Sequence, residues 1–118
     1  MTSDTASHTA SRFQALDLLS LLVAVLQSDG AVQFANAALE NVLGLSRRTL
    51  EGVGFAQFFT DPALLHTALQ GARSRDFAAL RFEGSLKRLH QDPVLVHVSV
   101  TAAELSGQML VEMWPLEQ

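Results

Sequence analysis

The stretch QFANAALENVLGLS, residues 33–46, decides how this chain is read. Val32 and Phe34 alternate with Gln33 in the manner of a strand, and the alternation runs straight into Asn36. After Asn36 the period changes. Leu39, Val42 and Leu43 fall at i, i+3 and i+4, one buried stripe on a helix. Gly44 follows where a helix stops in the left-handed conformation. Asn36 therefore stands at a strand-to-helix junction, and its side-chain oxygen can accept from a free amide of the first turn. On that reading Asn36→Ala costs about 1 kcal/mol, and Asn36→Asp costs much less because a carboxylate also caps.

Upstream, LLVAVLQ (21–27) is a short apolar strand and AVQFA (31–35) is its return. Between them Asp29-Gly30 is a turn pair that tolerates positive φ at both central positions of a tight hairpin. Residues 1–10 are small and polar and read as a loose tail ahead of a domain over 11–118. Ser11 and Gln14 form a capping-box pattern that predicts a helix through about Leu19. In residues 12–19, Ala15, Leu16, Leu18 and Leu19 cover an arc of roughly 160° at helical spacing. One core-facing stripe needs only about 100°. The surplus makes Phe13, Leu16, Leu18 and Leu19 candidates for a homodimer interface.

Downstream, Ser46 restarts a brief helix, SRRTLE, which ends at Gly52, and GVGFAQFF (52–59) is a glycine-hinged connection. Asp61-Pro62 marks a helix start, a cap followed by proline at the first position. Leu64, Leu65, Ala68 and Leu69 share its apolar face, up to Gly71. The last third is strand. ALRFEGSLKRL (79–89) and VLVHVSVTA (94–102) alternate apolar and polar residues, with HQDP (90–93) as the turn between them. After the turn ELSGQ comes a final strand, QMLVEMW, ended by Pro115. The order is helix, two strands, short helices, three strands. It predicts an α+β domain: a five-stranded antiparallel sheet, short helices on one face and a flanking N-terminal helix.

The 118 residues fit one domain. With 48% hydrophobic and 17% charged residues the chain suits a packed core and not disorder. The net charge of −4 argues against non-specific nucleic-acid binding. Arg47-Arg48 and Arg73/Arg75 read as solvated helix ends. The absence of cysteine removes disulfides, thiolate metal sites and cysteine nucleophiles, and agrees with a cytoplasmic protein. The longest apolar run, LLSLLVAVL (18–26), is too short for a bilayer, which takes about 20 residues. No basic segment leads it, which argues against a signal peptide.

The Asp-Gly hairpin followed by an Asn that opens the first inner helix resembles the start of a PAS domain, and the resemblance runs over roughly residues 15–114. VLQSDGAVQFANAALENVLGLS carries most of it, with Asn36 where many PAS domains place an Asn, so that it also marks the fold. More narrowly, the chain resembles the N-terminal sensor domain of nitrogen-regulation sensor histidine kinases of the NtrB type. SVTAAEL and GQMLVEMWPLEQ are similar to the way that family leaves its PAS domain, with Trp114-Pro115-Leu116 in place of an Asp-Ile-Thr-like signature. The resemblance implies a sensory and dimerisation module of a cytoplasmic two-component kinase that acts on nitrogen-responsive transcription. It implies, as partners, a second copy, the remaining kinase domains, an NtrC-type response regulator and the PII signal protein. The sequence contains no phosphoacceptor His box and no glycine-rich ATP lid, so no catalysis is expected in this chain, and the end shortly after Leu116 reads as an excision. The alternative is a PAS sensor of another signalling protein that binds heme, flavin or a small metabolite.

Candidate chemistry is sparse. His66 lies on the helix before the third strand, where some heme-binding PAS domains place the iron ligand, and imidazole is the right ligand type. The apolar residues around it and the lack of evident basic partners for propionates make it a weak candidate. Flavin adduct chemistry needs the missing cysteine. His8, His66, His90 and His97 do not pair at chelating spacings, so no metal and no cofactor are expected. Phe55, Phe58, Phe59, Phe82 and Met109 either line a small pocket or fill the core, and core packing is the favoured reading.

Overall fold

The computed structural model describes residues 21–74, 79–103 and 106–116. Five strands form one antiparallel sheet: β1 (Leu22–Leu26), β2 (Val32–Ala35), β3 (Ala79–Arg88), β4 (Gln91–Ala102) and β5 (Met109–Pro115). Their order in space is β2-β1-β5-β4-β3. Three helices and a 3₁₀ turn lie between β2 and β3: α1 (Ala37–Leu43), α2 (Arg47–Leu50), the 3₁₀ turn (Phe55–Phe58) and α3 (Pro62–Ser74). The predicted α+β architecture is the observed one. The predicted N-terminal helix, with Phe13, Leu16, Leu18 and Leu19, and the tail over 1–10 lie outside the described residues.

One sheet face carries the core. Leu22, Ala24 and Leu26 of β1, Val96, Val98 and Val100 of β4, and Met109, Val111 and Met113 of β5 are buried there. Against them pack Leu39 and Leu43 of α1, Leu50 of α2, Phe55 and Phe59, and Leu65, Ala68, Leu69 and Ala72 of α3. Every second strand residue points inward because side chains alternate across a pleated strand. Val23, Val25 and Phe34 are also buried, but outside this cluster. Val25 pairs with Phe34, and a bulge beside Gln33 lets Val32 turn to the core face as well.

Several boundaries differ from the sequence expectation, each for a local reason. The first hairpin is not a two-residue turn with two positive φ angles. Gly30 donates to the Gln27 carbonyl, Gln27 donates to the Ala31 carbonyl, and only Gly30, at φ 90°, is left-handed. That is a three-residue loop closed by a glycine bulge, steadied by Asp29 Oδ1 accepting from the Ala31 amide. The turn between β3 and β4 is Leu89-His90, with His90 at φ 60°, and not HQDP. Asp92 and Pro93 belong to β4. Proline is tolerated there because the β3–β4 register is broken between Leu86 and Arg88, and β5 pairs with β4 only from Val96 onward.

Helix α3 does not stop at Gly71 but continues to Ser74. Gly71 is a packing glycine: a Cβ there would run into Leu80 Cδ1. The buried stripe is Leu65, Ala68, Leu69 and Ala72, while Leu64 stands 39% exposed, off the face assigned to it from sequence. Asp61 opens the helix as expected, its Oδ1 accepting from the Ala63 amide at 3.2 Å.

Candidate functional site

Asn36 is the structural hub. Its side chain is completely buried. Its Oδ1 accepts from the Leu39 amide at 3.1 Å, which is the N-cap of α1. The same oxygen accepts from the Val23 amide at 3.0 Å, and the Asn36 amide donates to the Val23 carbonyl at 3.0 Å. Nδ2 donates to the Leu21 carbonyl at 2.7 Å. The physical sense is a substitution of acceptors. The backbone carbonyl of Asn36 has left the β1–β2 ladder to accept from Glu40 at the start of α1. The side-chain carbonyl takes over the ladder position opposite Val23. One residue thus satisfies the end of a strand and the start of a helix, and holds the segment entering β1.

A second anchor follows. Arg47, at the start of α2, donates through Nε to Glu40 Oε2 at 3.1 Å, and its guanidinium carbon lies 4.8 Å from the centre of the Phe34 ring. Arg47 is therefore not the solvated helix end predicted for it. It ties α1 and α2 back to β2 by a charge pair and a cation–π contact, each worth about 1 kcal/mol or less at such partly exposed sites. Arg48 and Arg73 are exposed, and Arg75 lies outside the described residues.

The aromatic residues pack on one another. Phe55 and Phe59 are fully buried, edge to face at 5.5 Å. Phe58 lies 6.1 Å from Phe55, and Phe82 lies 5.9 Å from Phe59. Met109 is buried in the same core. The only polar side chains fully buried among the described residues are Asn36 and Ser99. Ser99 points to the opposite face of the sheet, since it alternates with Val98 and Val100.

His66 is exposed, off the buried stripe of α3. His90 is exposed at the β3–β4 turn, and His8 lies outside the described residues. His97 sits on the outer sheet face, its ring 5.9 Å from Trp114 and its Nδ1 3.9 Å from Glu83 Oε2. The structure brings no two of the described histidines together, and among the described residues no three His, Cys, Asp or Glu gather as a metal site. The outer-face group of Leu95, His97 and Trp114 was missed as a unit. Its signal was in the alternation itself, for Leu95 and Trp114 are large apolar residues in polar-phase positions.

No protein-family model matches the sequence, and no curated protein matches it. Solved structures do. The chain is similar to the PAS domain of an HTR-like protein from Haloarcula marismortui, at 23% identity over 94% of each chain with a TM-score of 0.79. It is similar to a domain of the sensory box sensor histidine kinase/response regulator from Geobacter sulfurreducens, at 13% identity over 96% of this chain and 98% of that one, TM-score 0.76. It is also similar to the PAS domain of nitrogen regulation protein NR(II) from Vibrio parahaemolyticus, at 20% identity over 89% of this chain and 97% of that one, TM-score 0.67. The chain has the PAS fold.

Proposed function

We propose that this chain is the N-terminal sensory and dimerisation PAS domain of a cytoplasmic two-component sensor histidine kinase of the nitrogen-regulation type. The observation that carries the reading is the shared fold with the NR(II) PAS domain and with the sensor-kinase domain from Geobacter sulfurreducens. The sequence at the end of β5, Trp114-Pro115-Leu116, supports the narrower family. In this reading the parent uses ATP to phosphorylate itself on histidine, passes the phosphoryl group to an NtrC-type regulator, and answers to a PII-type protein. The domain itself contributes no catalytic group. Its role is to hold two chains together and to pass strain to whatever follows Leu116. The sheet order suits that role. The exit strand β5 lies between β1 and β4, so displacement of either half of the sheet reaches the exit directly.

The reading frame that continues past Gln118 tests this proposal. It is expected to encode a phosphoacceptor-histidine helix and an ATP-binding domain, and the full protein is expected to pass phosphate from ATP to an NtrC-type regulator. A DNA-binding or diguanylate-cyclase domain in that position would overturn it. A second expectation concerns cofactors. The purified chain should show neither a Soret band nor flavin absorption released by denaturant, since His66 is exposed and the aromatic side chains of the core contact one another. A stoichiometric chromophore would instead make the chain a cofactor-based sensor.

A further inference from the structure

The outer sheet face is uneven. Toward β1 and β2, Val23, Val25 and Phe34 are buried at 0%, 8% and 3% exposure. Toward β4 and the end of β5, Leu95 is 51% exposed and Trp114 40% exposed. These two apolar residues flank His97, which pairs across the ladder with Trp114 on one side and Glu83 on the other. The backbone beside them is well fixed, for the Leu116 amide donates to the Leu95 carbonyl at 3.0 Å. Large apolar side chains held on a rigid sheet make a preorganised contact surface and not a loop that adapts.

We propose that a second copy of this chain docks on this half of the outer face, sheet against sheet, about a two-fold axis that runs along β4. The proposal rests on the dimeric reading above and specifies its surface. The charge pattern selects the occupant. Arg81, Ser99 and Glu112 form one row across β3, β4 and β5. A two-fold axis along β4 exchanges the two ends of that row. It sets Arg81 of each copy over Glu112 of the other, and brings Leu95 against Leu95 near the axis. A surface with a cation and an anion placed symmetrically about an apolar strip is self-complementary, which is what an isologous contact requires. The same contact sets the two chain exits, just past Pro115, on one side of the pair.

The sequence provides its own probe. Trp114 is the single tryptophan of the chain. In full-length residues 1–118, its emission is expected to move to the blue as concentration rises through the dimer dissociation constant, together with the sedimentation coefficient. Leu95→Glu is expected to weaken the dimer by roughly thirtyfold or more, the size of a hot-spot loss at an interface centre. Leu89→Glu, at an equally exposed leucine of the β3–β4 turn, is expected to leave dimerisation unchanged. Arg81→Glu and Glu112→Arg are each expected to weaken it, and the double variant to restore most of the loss. A chain that dimerises with unshifted Trp114 emission, and whose Leu95→Glu and charge-reversal variants dimerise like wild type, overturns this surface while leaving the dimer itself standing. A chain that is monomeric at about 100 μM, where even a weak specific contact is populated, overturns both.

Discussion

Asn36→Ala is expected to lower the stability of the domain by about 3 kcal/mol, not the roughly 1 kcal/mol of an ordinary cap. Three partners are lost together: the Leu39 amide, the Val23 amide and the Leu21 carbonyl. The site is closed to water, so the groups left behind stay unsatisfied, and each such group costs about 1–3 kcal/mol. The melting temperature should fall by more than about 10 °C for a domain of this size. The sequence-based expectation for Asn36→Asp reverses. A carboxylate keeps the two bonds to Oδ1. Its second oxygen, however, would face the Leu21 carbonyl, which Nδ2 meets at 2.7 Å. An acceptor against an acceptor, with a charge in a buried site, is expected to cost at least as much as alanine. Asn36→Ser restores the cap alone and is expected to recover about 1 kcal/mol of the alanine loss. Urea unfolding of the three variants ranks them, and an Asn36→Asp chain as stable as wild type would sink the hub reading.

That reversal shows where sequence reasoning ran out. Local chemistry was legible. The period change at Asn36, the left-handed stop at Gly44 and the Asp61-Pro62 start involve partners within four residues. The alternation in β3, β4 and β5 gave their inward faces, because a strand has only two faces to choose between. What was not legible came from partners far along the chain. Leu21 lies fifteen residues before Asn36 and Leu80 nine residues after Gly71, so neither the third bond of Asn36 nor the reason for Gly71 has a local signature. Leu64 was misplaced because apolar neighbours at i and i+1 fit a helix stripe equally well, and only the packing of α3 on the sheet separates Leu65 from it. Leu95 and Trp114 were readable as exceptions to an alternation, but the meaning of an exception depends on the neighbouring strands, and the register supplies those.

Gly84→Ala is expected to destabilise the domain by about 1–2 kcal/mol, and Phe59→Ala by about 4 kcal/mol. Gly84 lies under the Phe59 ring. A Cβ there would meet Cδ2 and Cε2 of Phe59 at 3.1 Å and Cε2 of Phe82 at 3.2 Å. The ring has nowhere to go, being completely buried and wedged edge-on against Phe55. The backbone of β3 cannot retreat either, since Gly84 pairs with Val96 and the next carbonyl, of Ser85, accepts from Thr60. The lower backbone entropy of alanine in the unfolded chain returns about 0.4–1 kcal/mol, less than overpacking costs. Gly71 makes the opposite case, although a Cβ there would sit closer still to its neighbour. Its obstacle is the terminal methyl of Leu80, a half-buried side chain that can change rotamer, and alanine gains about 1 kcal/mol of helix propensity over glycine. Gly71→Ala is therefore expected to be near neutral. Phe59→Leu combined with Gly84→Ala should cost less than the sum of the two single changes, because the smaller side chain vacates the space that the methyl needs. Thermal unfolding of the four chains closes the cycle. Additive losses, or a Gly71→Ala chain weaker than Gly84→Ala, would show that the rigidity of the Phe59 ring does not set the cost at this site.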